Sequence, residues 1–389
     1  MREGWEYKKL GECFTYIKNG ANIKQKKDVD GYPITRIETL SGGVFNRDRV
    51  GYAGIHDLSK YENYILESKD LLMSHINSKA YIGRTVEYKS DNKETIIHGM
   101  NLLRLKANLN IIDSTFFAYY TQSGDFKSKI AKIRKDAVNQ SSFAISDLKR
   151  FNIPLPPKST QLAIVSELDK INELIRLKKE QLKDFDNLAQ SIFYEMFGDP
   201  VENEMGWEVK KLGEVCTFSQ GMQVPIEKQK VMQHEGYVRF LRIIDFTQGK
   251  DAPRYVECDN DKYILHEKEI AIVRYGTPGF VCTGLVGAIA NNLFKLNPIS
   301  DNTFIFEYLV HWLSSSAFQS SIKGRQYGAA LQAIKFSTIQ NINILIPPLP
   351  LQHLFAQRIE QIEHQKAEVQ KAIADLETLL ASRMQYWFE

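Results

Sequence analysis

Two stretches of the chain place apolar residues at steps that alternate between four and three. In the first, Ile164, Leu168, Ile171, Ile175, Lys178, Leu182, Phe185, Ala189, Ile192 and Met196 share one stripe, with Lys178 its polar intruder. In the second, Phe355, Ile359, Ile362, Lys366, Val369, Ile373, Leu376 and Leu380 do the same. A 3.5-residue period held over four heptads predicts a coiled-coil seam, because only a supercoiled helix keeps such a stripe facing a partner. Proline pairs, Pro156-Pro157 and Pro347-Pro348, stand just before the two stretches as rigid stops. Elsewhere the apolar runs are short and strand-like, as in Ile34–Ile37, Leu102–Leu105, Phe240–Ile244 and Ile270–Val273. Glycine-bearing loops such as Ser41-Gly42-Gly43 and Gly276-Thr277-Pro278-Gly279 separate them. Helical patterns cover Ser114–Lys132 and Asn302–Ile322.

The pattern occurs twice. Gly4-Trp5-Glu6-Tyr7-Lys8-Lys9-Leu10-Gly11-Glu12 returns as Gly206-Trp207-Glu208-Val209-Lys210-Lys211-Leu212-Gly213-Glu214. Tyr64-Ile65-Leu66 returns as Tyr263-Ile264-Leu265, and Ile153-Pro154-Leu155-Pro156-Pro157 as Ile344-Leu345-Ile346-Pro347-Pro348. Gln161 and Gln352 keep the spacing of the proline pairs. Such self-similarity predicts two diverged copies of one unit. The expected fold is α+β: two similar mixed α/β domains, 1–157 and 201–348, separated by two long helices, 158–200 and 349–389. Equivalent copies would be related by a pseudo-two-fold axis, which makes the helix pairing an antiparallel coiled coil.

Charge matters only when it is divided. Residues 1–157 carry 25 Lys and Arg against 18 Asp and Glu, a balance of +7, whereas the whole chain carries +3. Only the first copy is basic enough to suggest a polyanionic partner. The four cysteines (Cys13, Cys216, Cys258, Cys282) form no CxxC pair and suggest reduced thiols. No apolar run reaches about 18 residues, and the opening residues lack the apolar stretch of a signal peptide. The expectation is a cytoplasmic protein with no membrane association.

In their order, doubled along essentially the whole chain, these phrases resemble the specificity subunit of type I restriction-modification enzymes. Phe197-Gly198-Asp199-Pro200 after the first helix also fits. The resemblance implies two target-recognition domains, each reading one half of a bipartite double-stranded DNA target, with the helices spacing the halves. It also implies two methyltransferase subunits as partners, which bring S-adenosylmethionine, and a restriction subunit that can join them. The chain itself would hold no cofactor and catalyse nothing.

The residues agree with a non-catalytic role. GxGxxG, GxxxxGK[ST] and HExxH are absent, as is the Asn/Asp-Pro-Pro-aromatic tetrapeptide of adenine methyltransferases. Histidines such as His75, His98 and His311 sit singly, a pattern of structural rather than metal-binding residues. Base readers must then lie in loops, with Arg suited to guanine and Asn or Gln to adenine in the major groove. Four regions in each copy qualify. The first holds Asn22 and Lys24, matched by Gln220 and Gln223. The second holds Arg36 and Thr39, matched by Arg242 and Asp245. The third holds Ser74, Asn77 and Lys79, matched by Arg274, Tyr275 and Thr277. The fourth holds Lys135, Asn139 and Gln140, matched by Arg325, Gln326 and Gln332. Against these stands the bland reading, in which polar loop residues are merely solvated and Arg36 or Arg242 serves an internal ion pair. Trp5 and Trp207 read as packing anchors. Lys178 and Lys366 either snorkel from the seam or meet an acid supplied by a partner. A repeated-domain scaffold that grips a non-DNA partner through the same loops is the competing function.

Overall fold

The computed structural model describes residues 4–26, 29–91, 93–138, 140–249, 252–300, 302–323 and 333–389. The helix formers after each proline pair produce one uninterrupted helix apiece, Lys158–Phe197 and Leu349–Phe388, both 40 residues long. Pro350 sits in the first turn of the second, where a missing N–H breaks no intrahelical bond. The chain divides into two units, one of residues 1–178 with 372–389 and one of 179–371. Each unit therefore owns a piece of both long helices.

In the first unit an antiparallel sheet has the strand order Phe14–Asn19, Leu102–Ala107, Leu71–Ser74, Thr85–Glu87. In the second, Cys216–Gln220, Leu293–Pro298, Ile270–Val273 and Val281–Cys282 adopt the same order. Beside this sheet the second unit builds another, in which Tyr237–Leu241 pairs in parallel with Gly287–Ile289. The first unit reduces that sheet to single bridges, Ile34 with Ile97 in parallel and Ile65 with Ile97 antiparallel. The repeated phrases now have a physical meaning. Each opening phrase pairs antiparallel with the strand before its proline pair, Glu6 opposite Leu155 and Glu208 opposite Ile346. The chain thus closes each domain on itself immediately before the long helix begins.

Sheet, domain helices and long helices share one core in each unit. Leu105, Phe117, Phe126, Ile153 and Leu168 are buried together in the first, with Phe388 at 5.5 Å from Phe116 by ring centroids. Phe294, Tyr308, Trp312, Phe197 and Phe355 form the second core. Trp207 is an anchor here, its indole N–H donating to Phe197 O at 2.8 Å. Trp5 packs half-buried against the first core. Burial pushes the Cys13 thiol up to about 11 and those of Cys216 and Cys282 up to about 12, so these thiols are protonated packing groups.

Four details differ from the sequence pattern. The stretch Ser114–Lys132 is two helices, Ser114–Tyr120 and Gly124–Ile133, because Ser123 caps the second by accepting from Phe126 N. Ser315 does the same between Phe306–Ser314 and Ser316–Lys323. Neither Ile34–Ile37 nor Phe240–Ile244 is strand throughout, since both turn into short helices, Ile37–Gly43 and Ile243–Thr247. The seam holds from Ile164 to Ile175 but shifts by one residue at its end, where Phe193 and Phe197 are buried rather than Ile192 and Met196. There the helix leaves the coil and enters a domain core. Lys366 neither snorkels nor waits for a partner's acid: its ammonium lies 2.8 Å from both Asp186 and Glu363 of the same chain.

Gln161 and Gln352 staple the helix starts to the domains. Gln161 Oε1 accepts from Asp113 N at 2.8 Å, and its amide donates to Ile111 O and Pro156 O, each at 3.0 Å. Gln352 repeats all three bonds, with Ile305 N, Thr303 O and Pro347 O. Both side chains are buried, so truncation strands one donor and two acceptors away from water. We expect Gln161→Ala to lower stability by about 3 kcal/mol, from a cost of roughly 1–3 kcal/mol per unsatisfied buried group. Equilibrium denaturation reads this directly, and a loss below about 1 kcal/mol would mean that water replaces the side chain.

Candidate nucleic-acid interface

In the first unit the loop after Phe14–Asn19 is pinned by Ala21 N donating to His98 O at 2.8 Å. Beyond that point Asn22 and Lys24 are exposed. Arg36 is exposed as well, 3.4 Å from Glu38. The third and fourth regions form one small antiparallel sheet, in which Ile76–Asn77 and Lys135–Asp136 both pair with Ser141–Ser142. Lys79, Lys135 and Gln140 stand exposed around it, with Asn77 half-buried. A neighbouring cleft of about 470 Å³ runs past Lys79 and is lined also by Tyr81, Arg84, Lys127 and Arg134. Four basic residues thus line one cleft, although Arg134 is paired with Asp136 at 2.6 Å. Arg84 and Lys127 had no signal in the sequence, because the fold alone brings them to Lys79.

In the second unit Gln220, Gln223, Tyr275 and Thr277 are exposed. Gln220 and Tyr275 converge on one residue: Gln220 Nε2 donates to Asn291 O at 3.2 Å, and the Tyr275 hydroxyl donates to Asn291 Oδ1 at 3.1 Å. Arg274 is half-buried, its Nε donating to Ile334 O at 3.4 Å and its guanidinium 5.6 Å from the Phe336 ring. First and third regions therefore meet around the turn at Asn291 and Asn292, two residues that the sequence does not single out. An Asn-Asn pair before an apolar strand was the available sign.

Other candidates are structural. Thr39 is fully buried, with Oγ1 accepting from Arg36 N at 2.8 Å and donating to Arg49 O at 3.2 Å. Asp245 takes the equivalent place, accepting from Arg242 N at 2.9 Å and pairing with the Arg242 guanidinium at 3.0 Å. Arg242 also donates to Ala252 O at 3.2 Å, so it shapes its loop. Ser74 is 1% exposed and accepts from Asn77 Nδ2 at 3.1 Å. Thr39, Ser74 and Asp245 thus hold the loops in shape and offer no edge to a ligand. Asn139, Arg325, Gln326 and Gln332 lie outside the described residues.

Among the described residues, no group of three or more His, Cys, Asp or Glu is placed to hold a metal ion. No helix there is long and apolar enough to cross a membrane. His98 is a core residue, its Nε2 3.0 Å from Leu102 O and its pKa pushed down to about 3 by burial.

Fold and site together define a duplicated reader that presents matched polar loops from two α/β domains braced by long helices. The family model described as the type I restriction modification DNA specificity domain matches residues 2–184 and 204–378, one match per copy. The chain belongs to this family. It is 31% identical to the putative type I restriction enzyme MjaX specificity subunit of Methanocaldococcus jannaschii, over 97% of this chain and 93% of that one. The StySPI specificity subunit of Salmonella potsdam is 20% identical over 99% of this chain and 88% of its own length. Among solved structures, a chain from work on complex assembly and conformational transition of the type I R-M system aligns with a TM-score of 0.60 at 18% identity. That alignment covers 100% of this chain and 98% of the other. The type I S subunit from M. genitalium aligns with a TM-score of 0.52 at 15% identity, over 99% and 96%. Both alignments speak to the fold. DNA specificity is favoured over the scaffold reading.

Proposed function

We propose that this chain is the non-catalytic, cytoplasmic DNA-reading subunit of a type I restriction-modification complex. Each domain reads one half of a bipartite double-stranded target. Two methyltransferase subunits dock on the chain and bring S-adenosylmethionine, and restriction subunits join that assembly for cleavage. The observation that carries this reading is the loop surface built twice on one strand order in a chain of the specificity family. Proposed base contacts come from the exposed Asn22, Arg36 and Gln140 and the half-buried Asn77 in the first copy, and from Gln220, Gln223, Tyr275 and Thr277 in the second. Lys24, Lys79 and Lys135 are assigned to phosphates.

The test is ionic. Neutralising one phosphate contact releases one fewer set of counterions, so Lys24→Gln, Lys79→Gln and Lys135→Gln should each reduce the slope of log K against log salt by about one. Binding should weaken uniformly across sequences, with the preferred target unchanged. Three unchanged slopes would remove these lysines from the interface, and a wild-type chain with its methyltransferase partners that selected no duplex motif would overturn the function.

A further inference from the structure

One turn ties the reading segments of the second unit together, and it carries a side chain with unspent hydrogen-bonding capacity. Leu293 N donates to Ala290 O at 2.8 Å, closing a four-residue turn with Asn291 and Asn292 at its centre. Neighbouring segments fix that turn through backbone bonds, Gly221 N to Leu293 O at 3.0 Å and Arg274 N to Asn292 O at 2.8 Å. The approach at Gly221 is so close that a Cβ there would lie 2.3 Å from Ala290 O. On this rigid base the Tyr275 hydroxyl donates to Asn291 Oδ1, which sets the polarity of the amide. Its carbonyl is engaged, while its NH2 group has no partner among the described residues.

From this geometry we infer that Asn291 determines specificity in the second half-site by donating its amide hydrogens to an acceptor on a base edge. N7 and O6 of guanine, N7 of adenine and O4 of thymine are the acceptors that the major groove presents, and cytosine presents a donor instead. The first unit places Met100 at the equivalent position before Asn101-Leu102, 42% exposed. A thioether there suits an apolar contact such as a thymine methyl group. The two domains thus differ in chemistry at one position of a shared turn, as readers of different half-sites would.

The inference rests on the DNA-reading assignment and is tested on the full-length chain with its methyltransferase partners, using a duplex library randomised across both half-sites. Asn291→Asp keeps the shape and the Tyr275 contact but replaces donor by acceptor. The expected result is a preference at one base pair of one half-site that moves toward cytosine or another donor-bearing edge by about tenfold, with the other positions unchanged. Tyr275→Phe frees the carbonyl and should shift the same base pair toward adenine, which Asn reads with both amide atoms. A motif unchanged at every position in both variants overturns the inference while leaving DNA reading intact. Uniform weakening with the motif preserved also overturns it, since that marks a positioning role. A wild-type complex that selects no motif overturns the DNA-reading assignment, and this inference with it.

Discussion

Exchanging residues 1–157 for the equivalent block of a relative is expected to rewrite one half of the selected DNA target and leave the other half as it was. Each domain closes on itself through its own ribbon, Glu6–Lys9 with Asn152–Leu155 and Glu208–Lys211 with Asn343–Ile346. The segments that the fold joins belong to one copy each, Ile76–Asn77 with Lys135–Asp136 through Ser141–Ser142 in the first and Gln220 with Tyr275 at Asn291 in the second. The staple at the junction asks little of the incoming block, because Gln161 bonds only backbone atoms there. The side-chain condition is stricter: the new block must offer an apolar face to Ile164, Leu168 and Phe388, which pack on Phe116 and its neighbours. The effect is large, since specific and non-specific affinities differ by about a thousandfold or more. Selection from random duplex before and after the exchange measures it. Simultaneous change in both halves would mean that the two domains do not read independently.

The second large effect is expected from Asp70→Ala. Arg104, its side chain 5% exposed on a central strand, lies 2.7 Å from Asp70, whose side chain is 1% exposed. Glu67 offers Arg104 a second, more exposed oxygen at 3.3 Å. Removing Asp70 leaves a guanidinium in the core with only Glu67 at the rim and a long bond to Asn63 O at 3.5 Å, which costs about 3–5 kcal/mol for a buried pair. Burial pushes the Asp70 carboxyl up by more than Glu67 N–H and Arg104 pull it down. The pair is therefore not strongly favourable in itself, and Asp70→Leu combined with Arg104→Leu should recover most of the loss. The second unit places Lys295 and Glu269 at the matching sheet positions, 2.9 Å apart. Lys295 also donates to Ile264 O at 2.8 Å, so Glu269→Ala should cost less. Urea unfolding of the three variants measures this order, and a double variant no better than Asp70→Ala would show that the pair contributes net stability.

The long helices and the doubling were legible because each leaves a period in the sequence. The stripe from Ile164 to Ile175 needs only 3.5-residue spacing, and the repeated phrases need only a common offset. Strand order was not legible, since pairing Leu102–Ala107 with both Phe14–Asn19 and Leu71–Ser74 depends on contacts far apart in the chain. Nor does residue type reveal orientation. Thr39 and Asp245 look like loop readers by composition, yet both satisfy a helix start from inside the fold. Lys366 looked isolated because its acid, Asp186, sits 180 positions away on the other helix. Gln161 and Gln352 lie between these cases: their common offset from the proline pairs was visible, and their role was not. Asn291 was passed over because its meaning comes from Gln220 and Tyr275, which only the folded turn brings to it.

Synthesis completes the two units in the order opposite to their numbering. Residues 179–371, the whole of the second unit, have left the ribosome before the first unit receives residues 372–389. Until then the aromatic face of Phe116 and Tyr120 lacks Phe388, which in the finished protein sits 5.5 and 5.9 Å from those rings. Glu167 likewise waits for Arg383 and Trp387, its partners across the helix pair. The domain begun first is thus finished after the other, and while residues 179–371 are made it has an open apolar flank, the condition in which a nascent chain calls on chaperones.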